Sequence, residues 1–346
     1  MKHGGRTHIT HSRLVTLNTC RRKAHLSYMV GLRADRDAPA LRIGTAVHFG
    51  IELWHSGHGS VDDVCREVVE SYAVEIAKAR DPEAMHHEVA KVLALLRGYC
   101  WRWQNAPLEF VETELAFDLP LRNPKTGASS RLHRVAGKID GIVRLEDGTF
   151  ALHEIKTTSD AVDLGSDYWR RLRIDGQVSH YMIAAREMGF DINAVLYDVI
   201  RKPTIKPKAI SKAARKQADE DGHYFNTPID GPCPDRETSD LYVARVLDDI
   251  GENPDKYYTR GVVHRTDGEL DEYRAELWQS HKLMLDPTLS RTRNTAACLS
   301  HYGRCPFFDL CTTGQCPEPG DAAPEGFVKL DSVHPELDTP EGVATP

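Results

Sequence analysis

The run GKIDGIVRLEDGTFALHEIKT, residues 137–157, constrains the fold more than any other part of the chain. Two strand-like stretches flank Glu146-Asp147-Gly148, and a short polar segment ending in glycine between such stretches signals a β-hairpin. If a type I turn is closed by a left-handed Gly148, Leu145 pairs with Thr149, and carrying that register outward sets Asp140 directly opposite Glu154. Opposed side chains on antiparallel strands have Cβ atoms about 4.5–5.5 Å apart, and residues two apart share a face, so Lys156 joins the carboxylates. Facing carboxylates repel unless a cation lies between them. Mg2+ suits such a place because it takes oxygen ligands and keeps waters free, and the Ile155 carbonyl is a candidate further ligand. A metal that acidifies water, with Lys156 beside that water, meets the needs of phosphodiester hydrolysis. The same residues also fit an ordinary hairpin with exposed charges, so further motifs are needed to decide.

Around the hairpin the pattern is mixed. Residues 12–30 predict one helix, with Ser12 as N-cap, Leu14, Leu17, Leu26 and Met29 on roughly helical spacing and Gly31 as stop; Cys20 lies inside it. A second helix is expected from near Gly44 to Gly57, and two amphipathic helices between Val61 and Gln104, broken near Pro82. FVETELAFDLPL reads as a strand, residues 166–188 as a helix and AVLYDVI as a buried strand. Residues 238–254 and 269–285 read as further helices. With 40% apolar and 27% charged residues over 346 positions, the chain can bury a sizeable single core with additions.

The motifs GTAVH, GKID, EIKT and QVSHY, in that order, resemble the RecB-like branch of the PD-(D/E)XK nuclease superfamily, which includes AddB-type and CRISPR-associated exonucleases and many phage exonucleases. The resemblance spans about residues 12–311 and departs at Ile139, where the superfamily name has proline. It implies an α/β fold with a restriction-endonuclease-like core: a central mixed sheet flanked by helices, a helical N-terminal region and a cysteine-rich C-terminal clasp. It implies catalytic roles for Asp140, Glu154 and Lys156, with substrate-orienting roles for Gln177 and Tyr181, which stand one helical turn apart. His48 becomes a metal ligand beside Asp140, Glu154 and Ile155, which makes Mn2+ an alternative to Mg2+. Glu52 shares a helix face with His48, and Glu114 is a second-tier acid to which Glu112 is the rival.

Cys298, Cys305, Cys311 and Cys316 fall within nineteen residues, dense enough to suggest zinc or an iron–sulfur cluster. The resemblance assigns a cluster, [4Fe-4S] in type, to Cys20, Cys298, Cys305 and Cys311, clasping residue 20 to residues 298–316. Cys298 is farther from Cys305 than relatives have it, which leaves Cys316 as a substitute and zinc as an alternative. Cys65, Cys100 and Cys233 read as core or loop thiols. The domain reading is one unit, 1–316, with a basic and helical insertion at about 201–260.

The net charge of −7 is concentrated in residues 317–346, where seven acidic residues face the single Lys329. That Pro-rich tail is expected to be disordered or extended. The remainder is near neutral, and Arg201–Lys216 carries seven basic residues and no acidic one, which fits phosphate contact or a solvated loop. No base-reading motif is visible, so DNA ends or single strands are the expected substrate, with an annealing or recombination protein as a possible partner. No apolar run approaches the ~20 residues of a membrane helix and no signal peptide is evident, so a cytoplasmic location is expected. Two rivals remain: a CRISPR-adaptation-like trimming nuclease working in a complex, and a non-catalytic DNA-binding module on the same fold.

Overall fold

A mixed sheet of six strands grows outward from the hairpin, in a computed structural model that describes residues 7–35, 39–77, 79, 81–300, 303–334 and 337. The chain enters through strand β1 (Thr7–Ile9), helices α1 (His11–Thr19) and α2 (Arg21–Ala24), a π-helical turn over His25–Met29, and strand β2 (Leu32–Ala34). Helices α3 (Pro39–His55), α4 (Val61–Ser71), α5 (Ala73–Ala77) and α6 (Pro82–Trp103) follow. Then come strands β3 (Glu109–Arg122), β4 (Ser129–Arg144) and β5 (Phe150–Thr158), helices α7 (Asp167–Leu172) and α8 (Gly176–Glu187), and strand β6 (Ile192–Arg201). Helix α9 (Lys212–Asp221), the small hairpin β7 (His223–Tyr224) and β8 (Thr227–Pro228), and helices α10 (Ser239–Glu252) and α11 (Pro254–Tyr257) lead to strand β9 (Tyr258–His264). The chain closes with α12 (Asp267–Leu285), the hairpin β10 (Leu299–Ser300) and β11 (Gly303–Arg304), α13 (Phe308–Thr313) and β12 (Phe327–Lys329).

The sheet order is β1-β4-β5-β6-β9, with β3 on the other edge of β4. β3 covers β4 along nearly its whole length. The opposite edge of β4 is shared: β1 runs parallel to His133–Val135, and β5 antiparallel to Gly141–Arg144. Residues 136–140 lie between these two ladders, at a fork in the sheet. β5 and β6 are parallel, and α7 and α8 make the crossover that such a pair requires.

Alternating residues send apolar side chains to both faces. One core joins Leu152, Tyr197 and Val199 to Trp169, Val178 and Met182 of α7 and α8 and to Leu270 and Leu277 of α12. The other joins Ile155 and Ile200 to Val47 of α3, Leu95 and Tyr99 of α6 and Tyr242 of α10. The span expected as an insertion, 201–260, therefore belongs in part to the core: Val246, Ile250, Tyr257 and Tyr258 are buried in it.

Several boundaries differ from expectation. The first helix ends at Cys20, whose extended backbone (φ −159°, ψ 112°) starts a new short helix, and the N-cap is Thr10, which accepts from the Arg13 amide, in place of Ser12. Helix α3 begins at Pro39, ahead of Gly44. The helix expected over 166–188 is two helices separated at Asp175.

The tail is ordered in part: Phe327–Lys329 pairs antiparallel with Leu32–Ala34, and Phe327 stacks on Phe307. Residues 335, 336 and 338–346 lie outside the described residues. The two ends of the chain do meet, through Arg22 N–H donating to the Thr292 carbonyl at 3.3 Å, Asn294 Nδ2 donating to the Thr19 carbonyl at 2.9 Å, and a small core of Leu26, Val30, Leu32, Phe307 and Leu310.

Candidate active site

The hairpin has the register read from its sequence: Arg144 pairs with Phe150 and Gly141 with His153, the Leu145 amide donates to the Thr149 carbonyl at 2.9 Å, and Gly148 has φ 85°. The ladder stops at Gly141, one pair short of Asp140 and Glu154. There the Asp140 carboxylate takes the place of a strand partner, its Oδ2 accepting the Ile155 N–H at 3.0 Å. The side chain thus props the strands apart where β4 passes from β5 to β1. Glycines flank it because the space is filled: a Cβ on Gly141 would come within 2.8 Å of Phe110, and one on Gly137 within 2.7 Å of Phe117 and 3.0 Å of Tyr181.

A cleft of about 890 Å3 opens at this fork, lined by His48, Asp140, Glu154, Lys156, Gln177 and Tyr181 among others. Lys156 Nζ donates to Glu154 Oε1 at 2.8 Å and to Gln177 Oε1 at 2.7 Å, and Gln177 Nε2 donates to the Tyr181 hydroxyl at 3.1 Å. His48 Nδ1 is 3.6 Å from Asp140 Oδ2. All the sequence-predicted site residues of the hairpin, α3 and α8 therefore meet in one place.

Burial dominates the electrostatics. It pushes the Glu154 carboxyl up to about 7, with Asp140 adding to the shift and Lys156 opposing it. It also raises Asp140, against the Ile155 N–H, and lowers His48 to about 4, so that its imidazole is neutral with a free lone pair at neutral pH. Burial pulls the Lys156 ammonium down as well, but Glu154 and then Asp175 outweigh it, and the group is held above its ordinary value. Three carboxylates, Asp140, Glu154 and Asp175, surround one ammonium. Oxygen donors with excess negative charge beside a neutral imidazole fit a divalent cation, although among the described residues no three of His, Cys, Asp and Glu are drawn together as tightly as a bound ion would hold them.

A model of the PD-(D/E)XK nuclease superfamily matches residues 8–312. The chain belongs to this superfamily. PD-(D/E)XK proteins are metal-dependent nucleases, so nucleic-acid cleavage with Mg2+ or Mn2+ is the family's chemistry, and the helix-flanked mixed sheet agrees with it. No curated protein matches the chain significantly. Among solved structures, the crystal structure of SSO0001 is similar at 15% identity over 70% of this chain and 84% of that one, with a TM-score of 0.21. No helix among the described residues is long and apolar enough to cross a membrane.

Within the PD-(D/E)XK core, one residue escaped sequence reading and two expectations are narrowed. Asp175 caps α8 and lies 3.5 Å from Lys156 Nζ; only the break in the helix would have singled it out. Glu114 faces Asp140 across the β3–β4 register, between the pairs Thr113–Gly141 and Leu115–Ile139, at φ 52°. A positive φ is costly for a residue with a Cβ. It accompanies a Glu114 carboxylate that lines the cleft and meets Lys138, whereas Glu112 is exposed and does not line the cleft. Finally, only Lys202 of the basic run lines the cleft, and Lys216 pairs with Glu220 at 3.7 Å.

Cys20 Sγ is directed at the Thr292 carbonyl (3.9 Å) and Cys298 Sγ at the Asn294 carbonyl (3.4 Å), and among the described residues no three cysteines form a metal-binding group. It is Cys316, with Cys305, that neighbours Cys311, where burial and then the adjacent Cys316 thiol push the Cys311 thiol up to about 11. The physical reason is local: α13 is short and ends at Gly314 in a left-handed turn, which folds Cys316 back on Leu310 and Cys311. Among the described residues all eight cysteines are free thiols, and Cys65, Cys100 and Cys233 are buried.

Proposed function

We propose that this chain is a divalent-metal-dependent DNA exonuclease that processes DNA ends for recombination or repair, in the manner of phage enzymes. The observation that carries the reading is the fork at Asp140, where the buried Glu154 and half-buried Asp140 carboxylates, a neutral histidine and an ammonium face one open cleft. Asp140, Glu154, the Ile155 carbonyl and His48 would hold Mg2+ or Mn2+. When bound, that ion supplies Lewis-acid polarisation of a phosphoryl oxygen and a more acidic water. Lys156 keeps its proton and donates hydrogen bonds, so it orients the attacking water and offsets charge developing on phosphate. Gln177 spans Lys156 and Tyr181, which ties the substrate-orienting pair of α8 to that ammonium.

Sequence-independent cleavage is supported by an absence of base-reading motifs in the sequence, and Lys138, Lys156 and Lys202 around the cleft suit backbone phosphates. The test is end-labelled single- and double-stranded DNA, linear and circular, with Mg2+, Mn2+ or a chelator. Stepwise loss of label from linear DNA only with metal is expected. Cutting of circles would make the enzyme an endonuclease, stable co-purification with integrase subunits would favour the CRISPR-adaptation-like role, and tight binding without cutting would favour the non-catalytic module.

A second reading concerns the cysteines, and it is favoured by the packing of Cys311 against Cys316 and Cys305 beside the stretch where residues 19–22 meet 292–294. Soft thiolates in this arrangement suit an iron–sulfur cluster, or zinc. Chemical analysis for iron, acid-labile sulfide and zinc in anaerobically prepared protein tests it, and a metal-free protein of full stability would reject it.

A further inference from the structure

We infer that Asp175 is a positioning residue for Lys156, its carboxylate fixing the ammonium from the start of helix α8; the inference rests on the proposed role of Lys156 beside the attacking water. An ammonium has three N–H donors and is held best by acceptors on three sides. Around Lys156 Nζ stand Glu154 Oε1 at 2.8 Å, Gln177 Oε1 at 2.7 Å and Asp175 Oδ2 at 3.5 Å. Two of the three belong to the first residues of one helix.

Asp175 divides its carboxylate between two tasks. Oδ1 accepts the Gln177 N–H at 2.9 Å and caps α8. Capping needs one oxygen, and serine, threonine or asparagine would serve equally. The other oxygen faces Lys156 and lies 3.4 Å from the Tyr197 hydroxyl, an arrangement that capping leaves unexplained. The side chain is 18% exposed, so its attraction for the ammonium is only partly screened. The helix start is also firmly seated: a Cβ on Gly176 would meet His11 at 3.1 Å and Tyr273 at 3.2 Å. Asp175 therefore links the seat of α8 to the direction in which Lys156 points.

Asp175→Asn separates the two tasks, because its amide oxygen can still cap α8 while the charge is lost and an NH2 group faces the ammonium. Asp175→Ser, another capping residue, guards against a folding defect in the first variant. Both should melt near the parent, and Asp175→Asn should lose about ten- to a hundredfold in kcat on linear DNA with Mn2+, the usual scale for an outer partner of a catalytic group, with KM changed less than about twofold. In a Lys156→Met background the same substitution should cost nothing further. A second readout does not need turnover: the 1H–15N ammonium signal of Lys156, assigned by its loss in Lys156→Arg, should exchange at least about tenfold faster in Asp175→Asn as hydrogen bonding weakens. An unchanged signal in the folded variant overturns the inference whether or not DNA is cut. Conversely, a parent protein that cuts no DNA but shows the Asp175-dependent signal defeats the nuclease reading while upholding the hold of Asp175 on Lys156.

Discussion

Asp140 does two things with one carboxylate: it bonds the Ile155 amide and presents charge to the cleft. Asp140→Asn keeps an oxygen for that amide, so the variant is expected to fold with an unchanged melting curve yet lose at least about a hundredfold in metal-dependent DNA cleavage. Normal cleavage by the folded variant would remove Asp140 from the proposed metal site. Glu114 is the complementary case, since its strain is in the backbone at φ 52°. Glu114→Gly relieves a left-handed conformation worth about 1–2 kcal/mol, so the urea midpoint should rise, while the lost contact with Lys138 should weaken cleavage. A lower midpoint would show that the carboxylate contributes more than the strain costs. Residue types and spacing named Asp140, but nothing in the letters sets Glu114 at positive φ, a conformation that appears only where β3 lies against Asp140 of β4.

The elements meet at the fork because small residues and buried histidines let them. Gly137→Ala would drive a Cβ toward Phe117 and Tyr181 and should cost about 1–3 kcal/mol of stability as an overpacked site, measured by urea unfolding. His180 ties α8 to β4 and α12, with Nε2 by the Ala136 carbonyl at 3.3 Å and Nδ1 by the Tyr273 hydroxyl at 3.2 Å. His133 of β4 meets His281 of α12 at 2.9 Å. Burial lowers His180 to about 3 and His133 to about 4, the latter helped by Arg13. Folded values below the unfolded value of about 6.5 mean that the unfolded chain binds more protons in this range. The stabilisation is therefore fully present above about pH 6.5 and is lost as pH falls toward 4. Urea midpoints at pH 7.5, 6 and 5 should decline in that order, since the two rings together outweigh the raised Glu154 carboxyl, which works in the opposite sense; a rising series would contradict the neutral buried state of both rings. The hairpin register was legible because its turn chemistry is local; the break at Asp175 has a local sign too, in the Asp175-Gly176 pair, but nothing in the letters shows that this aspartate turns toward a distant lysine.

Across the whole molecule the chain ends close on each other through β2 and β12 and the apolar contacts beneath them. Phe327→Ala removes the stack on Phe307, whose centroids are 5.5 Å apart, and should lower stability by about 1–3 kcal/mol; an unchanged melting temperature would mean that the ends contribute little. If the cysteine junction takes metal, Cys316→Ala should reduce bound iron or zinc more than Cys298→Ala does, and the reverse order would restore the pattern read from sequence. The sequence by itself determined the family, the α/β class, the hairpin and the group His48, Asp140, Glu154, Lys156, Gln177 and Tyr181, because motif order and period-two pairing are properties of short stretches. Only the tertiary structure decided that β1 and β5 share one edge of β4, that Asp140 stands at the resulting fork, that Asp175 joins the site and Glu114 lines it in place of Glu112, and that Cys316 sits with Cys311. Each of those depends on which distant surfaces bury one another, and on the local conformations that packing then imposes.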